Sequence, residues 1–370
     1  MSELDQNSTR TPHEGVPEEP VVRVRTVADL LAVVPYQLGF RPDGSAVLLT
    51  ERVEDGTRAL GMMCRTDLDQ LCDPWEGPET AAHVTSRIAE EAPDHLTLVL
   101  YTVEAFCRAR TGGDLDLAVR ALDDALPYSA PPIDPLDVWV VAPDGWGHLD
   151  PCGCCPAEGR APEDIEESPA AAAMVLAGRA AVPSRESFAV ERAEASARGE
   201  AADGWVQERD RRGRVPTALW RADMARLWDT SVGTEPDART LGRLLAAVED
   251  PLLRDTIVAA TMSGDAAGVG MLVAAGALGD VLDAPFRPLD SAVEPALGLA
   301  HAVAVHAPDG AGAPALGVLG FIAWWANQGA RADVVVRQAL AEDPDHRLSC
   351  LVAGLLAGAV PPPWVADRVP

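Results

Sequence analysis

The chain has 370 residues, of which 57 are acidic and 30 basic, giving a formal charge of −27 and a pI near 4.5. That balance excludes a nucleic-acid coat or a basic membrane-surface protein. With 48% apolar and 24% charged residues the chain has the material for a core, and its length suggests about two domains of about 150 residues each. Every basic residue is an arginine, so chemistry that needs an amine nucleophile or a Schiff base is excluded.

Residues 1–20 are polar, acidic and proline-bearing, without the basic start and apolar run of a secretory signal, and are expected to form a disordered tail. Residues 21–160 have the alternation of an α/β domain with a mixed sheet. A short helix is expected over 26–34, closed by Pro35, and a turn follows at Arg41-Pro42-Asp43-Gly44. Two apolar-rich runs, 46–53 and 58–65, flank Glu54-Asp55-Gly56-Thr57, and the Asp-Gly pair marks a β-hairpin. Residues 78–91 have helical spacing, and the unbroken apolar run 96–101 fits a central strand. Asp114 stands at an N-cap position ahead of an amphipathic stretch that ends at Pro127. A strand returns at 138–142, and Asp144-Gly145 turns it into a second hairpin ending near His148 and Leu149.

From 161 to about 214 the composition shifts to Glu, Ala, Arg and Asp with few large apolar residues, as expected of an acidic hinge with some exposed helix. Residues 215–370 are expected to form an all-α domain. Its apolar stripes run through Leu219, Trp220, Met224, Leu227 and Trp228, then Leu241, Leu244, Leu245 and Val248. Asp250-Pro251 starts a helix, and further helices are expected around 316–325, 334–340 and 348–356. The uncharged stretch 310–330 is long enough for a bilayer span but carries Pro314, Asn327 and Gln328, so a buried helix is the expectation and no membrane partner is inferred. The odd number of cysteines, seven, fits a reducing cytoplasmic interior better than a disulfide framework.

The sharpest chemical feature is Cys152-Gly153-Cys154-Cys155-Pro156, preceded by His148. Cys152, Cys154 and Cys155, with His148 as a fourth ligand, are the candidate metal site, zinc being the cation such a soft set would take. The usual second pair of ligands is missing, so redox chemistry of the vicinal thiols and a structural loop remain alternatives, the last leading. Cys64, Cys72, Cys107 and Cys350 lie in or beside apolar segments and are expected to be small buried hydrophobes. His301 and His306 are five apart on a helix, slightly off the spacing that faces two ligands together. The pairs Asp67/Asp69 and Asp114/Asp116 are more simply caps and turns than cation ligands. Gly264, Gly268 and Gly270 do not make a dinucleotide fingerprint, and the absence of lysine eliminates a P-loop. Residues 339–345 are similar to the turn of a tetratricopeptide hairpin, but no 34-residue period accompanies them.

The stretch from Asp29 through Val34-Pro35-Tyr36-Gln37-Leu38-Gly39-Phe40 to Ser45, the Cys-Cys-Pro of 154–156, and Gly320-Phe321-Ile322-Ala323-Trp324-Trp325 with the helical hairpin to Gly358 resemble, in this order, the DUF4192 family of actinobacterial proteins. The resemblance spans most of the chain and implies a cytoplasmic protein from a high-GC lineage, a bias that also accounts for arginine in place of lysine. It brings no activity with it. With no complete catalytic constellation in view, a non-catalytic binding, scaffold or regulatory protein is expected. Its partner would be another protein or a second copy of the chain. A metal- or thiol-dependent enzyme centred on residues 152–155 is the alternative.

Overall fold

The computed structural model describes residues 22–54, 57–111, 113–126, 136–151, 153–263 and 290–366. It has the expected architecture, an N-terminal unit built on a mixed sheet followed by a helical half. Five strands, β1 (Ser45–Glu54), β2 (Thr57–Asp67), β3 (His95–Tyr101), β4 (Asp137–Ala142) and β5 (Gly145–His148), lie in the order β2-β1-β3-β4-β5. All neighbours are antiparallel except β3 and β4, which are parallel. Both expected hairpins are present, with residues 55 and 56 of the first outside the described residues.

The sheet is covered on both faces because its central strands alternate two apolar sets. Ala46, Leu48, Leu96, Leu98, Leu100, Val138 and Val140 face one core. That core is closed by α2 (Leu68–Cys72), α3 (Gly77–Glu90), α4 (Phe106–Ala109) and α5 (Asp114–Ala125). Val47, Leu49, Val99, Tyr101 and Trp139 face the other, closed by α1 (Val27–Leu38). The crossover that makes β3 and β4 parallel carries α4 and α5.

Two boundaries differ from expectation. α1 does not stop at Pro35 but runs through it to Leu38, and Gly39 in the left-handed conformation (φ 79°) ends it. The last turn is held because the chain after it is anchored: Phe40 is fully buried and pairs with Val182, whose N–H donates to Gly39 O at 2.9 Å. Asp114 is the first helical residue of α5 rather than its N-cap, a position that Gly113 takes with φ 102°.

Within 161–214 the structure places α6 (Glu163–Glu166) and α7 (Pro169–Leu176), a 3-10 turn (Arg185–Phe188) and α8 (Ala195–Arg212). α7 buries Ala170 and Met174 against Val33 of α1. α8 buries Ala201, Gly204 and Glu208. The helices that follow are α9 (Thr217–Ser231), α10 (Ala238–Val248), α11 (Pro251–Ser263), α12 (Asp290–His306), α13 (Ala313–Trp325), α14 (Gly329–Glu342), α15 (Arg347–Ala357) and α16 (Pro363–Ala366). Their common core contains Trp220, Met224, Trp228, Leu244, Leu245, Leu319 and Trp325. α13 is buried all round, as its uniformly apolar sequence requires, and among the described residues no helix is long and apolar enough to cross a membrane. Leu219, part of an apolar stripe by spacing alone, stands 54% exposed. Gly264, Gly268 and Gly270 lie outside the described residues.

Candidate functional site

The cysteine loop grows out of the β4–β5 hairpin, and glycines decide its path. β5 is an edge strand four residues long, and residues 156–161 fold back over it. Trp146 and Arg160 exchange two backbone hydrogen bonds (3.0 and 2.7 Å), and Trp146 Nε1 donates to Ala161 O at 3.0 Å. A side chain at Gly147 would meet Phe106 Cζ at 2.8 Å and the Cys155 sulfur at 3.5 Å; one at Gly159, where φ is 88°, would also strike the Phe106 ring. The loop thus packs as a cover on a fully buried phenyl ring, and only glycine permits that approach. Phe106 is fixed in turn: Asp144 Oδ1 accepts from its N–H at 2.7 Å, and the Arg110 guanidinium lies over its ring.

Of the four candidate ligands, Cys152 lies outside the described residues. Cys154 is disulfide-bonded. Cys155 is a free, half-buried thiol that packs beside the Trp139 and Trp146 core, with its sulfur 3.6 Å from that of Cys154. Arg160 straddles the loop, donating from Nη2 to Cys154 O at 3.0 Å while its guanidinium lies over the Trp146 ring. His148 is engaged elsewhere: Nε2 is 3.0 Å from Asp137 Oδ1 and Nδ1 is 3.1 Å from Asp150 O. Both partners are acceptors, so a ligand role would require His148 to give one of them up. Asp137 also accepts from Trp139 Nε1 at 2.8 Å, which makes it the clasp between the start of β4 and the end of β5. Among the described residues no group of three or more His, Cys, Asp or Glu side chains is placed to hold a metal ion.

The other candidates serve local structure. Asp67 precedes α2 and pairs with Arg65 at 2.6 Å, while Asp69, Asp114 and Asp116 sit in first turns of helices. His306 Nδ1 is 2.9 Å from Ala302 O. His301 is held below the ordinary histidine range by burial and by the Arg331 charge. Cys64 is half-buried and burial pushes its thiol up to about 11. Cys107 and Cys350 are exposed, contrary to expectation, and each donates to a carbonyl, of Ala157 and Pro344. Both stand on the outer surfaces of helices that bury other apolar residues, so apolar surroundings in sequence do not carry them into a core.

Two features gave no motif in the sequence. The first is Trp75, 88% exposed on the turn before α3. That turn is rigid, because Asp73 Oδ1 accepts from the N–H groups of both Trp75 and Glu76 at 2.8 Å, and these bonds hold the Asp73 carboxyl below the usual carboxylate range. The second is an arginine-rich seam between α8, α9 and α10. Glu208, almost fully buried, accepts from Arg211 Nη1 and Arg243 Nε, both at 2.8 Å, and from Trp220 Nε1 at 2.9 Å. Asp250, fully buried, accepts from both Arg212 and Arg221 and from the Leu253 N–H. Desolvation works against charge on both carboxyls, yet these donors outweigh it and both lie below their ordinary values.

Comparison with known proteins adds one match. The family model described as "Domain of unknown function (DUF4192)" aligns with residues 28–363, nearly the whole chain. No curated protein and no solved structure matches.

Proposed function

The chain belongs to the DUF4192 family, and for it we propose a non-catalytic role as a protein-binding or scaffold component of the actinobacterial cytoplasm. The observation that carries this reading is Trp75. A tryptophan 88% exposed on a turn whose backbone is already hydrogen-bonded presents a large apolar surface without the cost of ordering its backbone. Aromatics displayed on ordered turns anchor protein interfaces. Supporting it, the side chains most suited to acid–base chemistry are occupied in holding elements together: Asp29, Glu208, Asp250 and the His148–Asp137 pair all bind the fold's own donors and acceptors. Among the described residues five cysteines are free against the disulfide-bonded Cys154, a balance that supports the compartment, and the replacement of lysine by arginine supports the lineage.

The test is affinity capture from the native host with the wild-type chain and a Trp75→Ala variant. A stoichiometric partner, or a second copy of the chain, retained by the first and lost by the second is the expected result. Equal recovery by both, or nothing above background, overturns the reading. A thiol-dependent activity at residues 152–155 is the second reading, favoured by the 3.6 Å approach of the Cys155 thiol to the disulfide-bonded Cys154. As a disulfide Cys154 offers no thiolate to zinc, so this arrangement suits thiol–disulfide exchange better than metal ligation. Alkylation of Cys155 that leaves the rate of Cys154 reduction unchanged would remove it.

A further inference from the structure

We propose that the cleft between α8, α9 and α10 is a binding site for a small ligand carrying a phosphoryl group. The cleft measures about 300 Å³ and is lined by Arg211, Asp223, Arg226, Leu227, Thr230 and Arg243. Four of these, Asp223, Arg226, Leu227 and Thr230, fall at i, i+3, i+4 and i+7 on α9 and so share one helix face. Three guanidiniums and one carboxylate line it, and even with buried Glu208 counted beneath them the balance is positive, within a chain whose net charge is −27.

The arginines differ in what they have left to give. Arg211 is spent, with one terminal nitrogen on Glu208 and the other on Asp223. Arg243 uses Nε for Glu208, so its stem is fixed by a buried carboxylate while no described residue accepts from its two terminal nitrogens. Among the described residues Arg226, its side chain 76% exposed, approaches no carboxylate but that of Asp223, at 3.9 Å, beyond hydrogen-bonding distance. Two forks with unfilled donors therefore stand on different helices around one opening, that of Arg243 held by Glu208 and that of Arg226 exposed and free to turn toward a ligand. A fork held in place before the ligand arrives loses little entropy on binding. A phosphoryl group has three terminal oxygens and accepts from forks arriving along different directions, whereas a carboxylate offers two in one plane. The volume is at the lower end of small-molecule sites, which suits a compact phosphate ester, and Leu227 supplies a short apolar wall for its organic part. The cleft shares no element with the Trp75 turn, so it stands or falls separately from the protein-binding reading.

Isothermal titration of the full chain with inorganic phosphate and, separately, glycerol 3-phosphate decides the matter, with acetate at equal ionic strength as the control. Saturable binding to either phosphate, absent with acetate, is expected. Tighter binding of glycerol 3-phosphate identifies an ester as the ligand class, and equal binding identifies the free anion. Arg226→Ala weakens it by about ten-fold or more, the loss of charge-assisted bonds from an exposed residue, with an unchanged circular dichroism spectrum. Arg214→Ala, which removes an exposed arginine paired with Asp210 outside the cleft, leaves it unaltered. Absence of saturation with both phosphates, an equal response to acetate, or equal weakening by the two variants would overturn the proposal.

Discussion

Asp29 shows how much one side chain in the family's opening motif contributes. As the third residue of α1 it accepts from the Arg25 and Thr26 N–H groups and the Thr26 hydroxyl through Oδ2, while the Thr26 oxygen accepts from its own N–H, a reciprocal cap. Its Oδ1 takes the Ala170 N–H at the start of α7, 141 positions away in sequence. Replacing it by alanine leaves the buried Ala170 N–H without a partner and removes the cap of α1, and we expect a loss of about 2–3 kcal/mol in urea denaturation. Burial opposes its charge, but the Arg25, Thr26 and Ala170 bonds hold its carboxyl below the ordinary value of 3.8. A carboxyl depressed on folding stabilises the native state fully above its unfolded value, and that share disappears as pH falls through the folded value. Denaturation midpoints measured from pH 7 down to 3 should therefore fall below about pH 4, with a shallower acid limb in Asp29→Asn. The motif's chemistry was legible as a helix start. Its second use, at α7, was not, because nothing local to residue 29 marks a partner so distant.

At the scale of elements, the sheet was readable because the strands that face two cores are apolar in both alternating sets, as in Val47–Leu49 and Leu96–Leu100. α8 was the hard case. Its sequence, rich in Glu, Arg and Ala, has no apolar stripe, yet it lies against α10 through small residues. A methyl group at Gly242 would collide with the Ala201 carbonyl, and one at Gly204 with the Arg239 carbonyl. Backbone-to-backbone packing leaves no hydrophobic periodicity to detect, and charge alone suggested an exposed helix. Gly242→Ala, which improves helix propensity in isolation, should instead destabilise the chain by about 2–3 kcal/mol because the obstacle is a backbone atom that a rotamer change does not move. Gly298→Ala in α12, where no atom lies within reach of the added methyl, is the control and should be neutral or mildly stabilising; thermal denaturation of both variants measures the contrast. The arginine cleft leaves no mark in the sequence for a related reason. Its lining comes from three helices spread over residues 211–243, and no linear spacing records that Arg226 and Arg243 share an opening.

Across the whole molecule, the segment before α8 ties the two halves together. Phe188 lies edge-on against Phe40, and Arg185 pairs with Asp67 at the end of β2 and with Asp333 on α14. Gln338 exchanges hydrogen bonds with the Val190 backbone, the Ala193 N–H donates to Val305 O, and Arg192 pairs with Glu342. Composition marked this stretch as polar and acidic, and polarity cannot distinguish a tether that is solvated from one that is stitched at every few residues. The seam between α8 and α10 has a practical corollary for anyone dividing the protein. A fragment beginning at 215 would strip Arg243 and Trp220 of the carboxylate that binds both, deprive Asp250 of Arg212, and lay open the flat glycine face of α10. One beginning near 182 keeps all of these. Expressed side by side, the shorter piece should aggregate or bind a hydrophobic dye while the longer one unfolds in a single sharp transition, so the natural point of excision lies upstream of the helix that looks most dispensable.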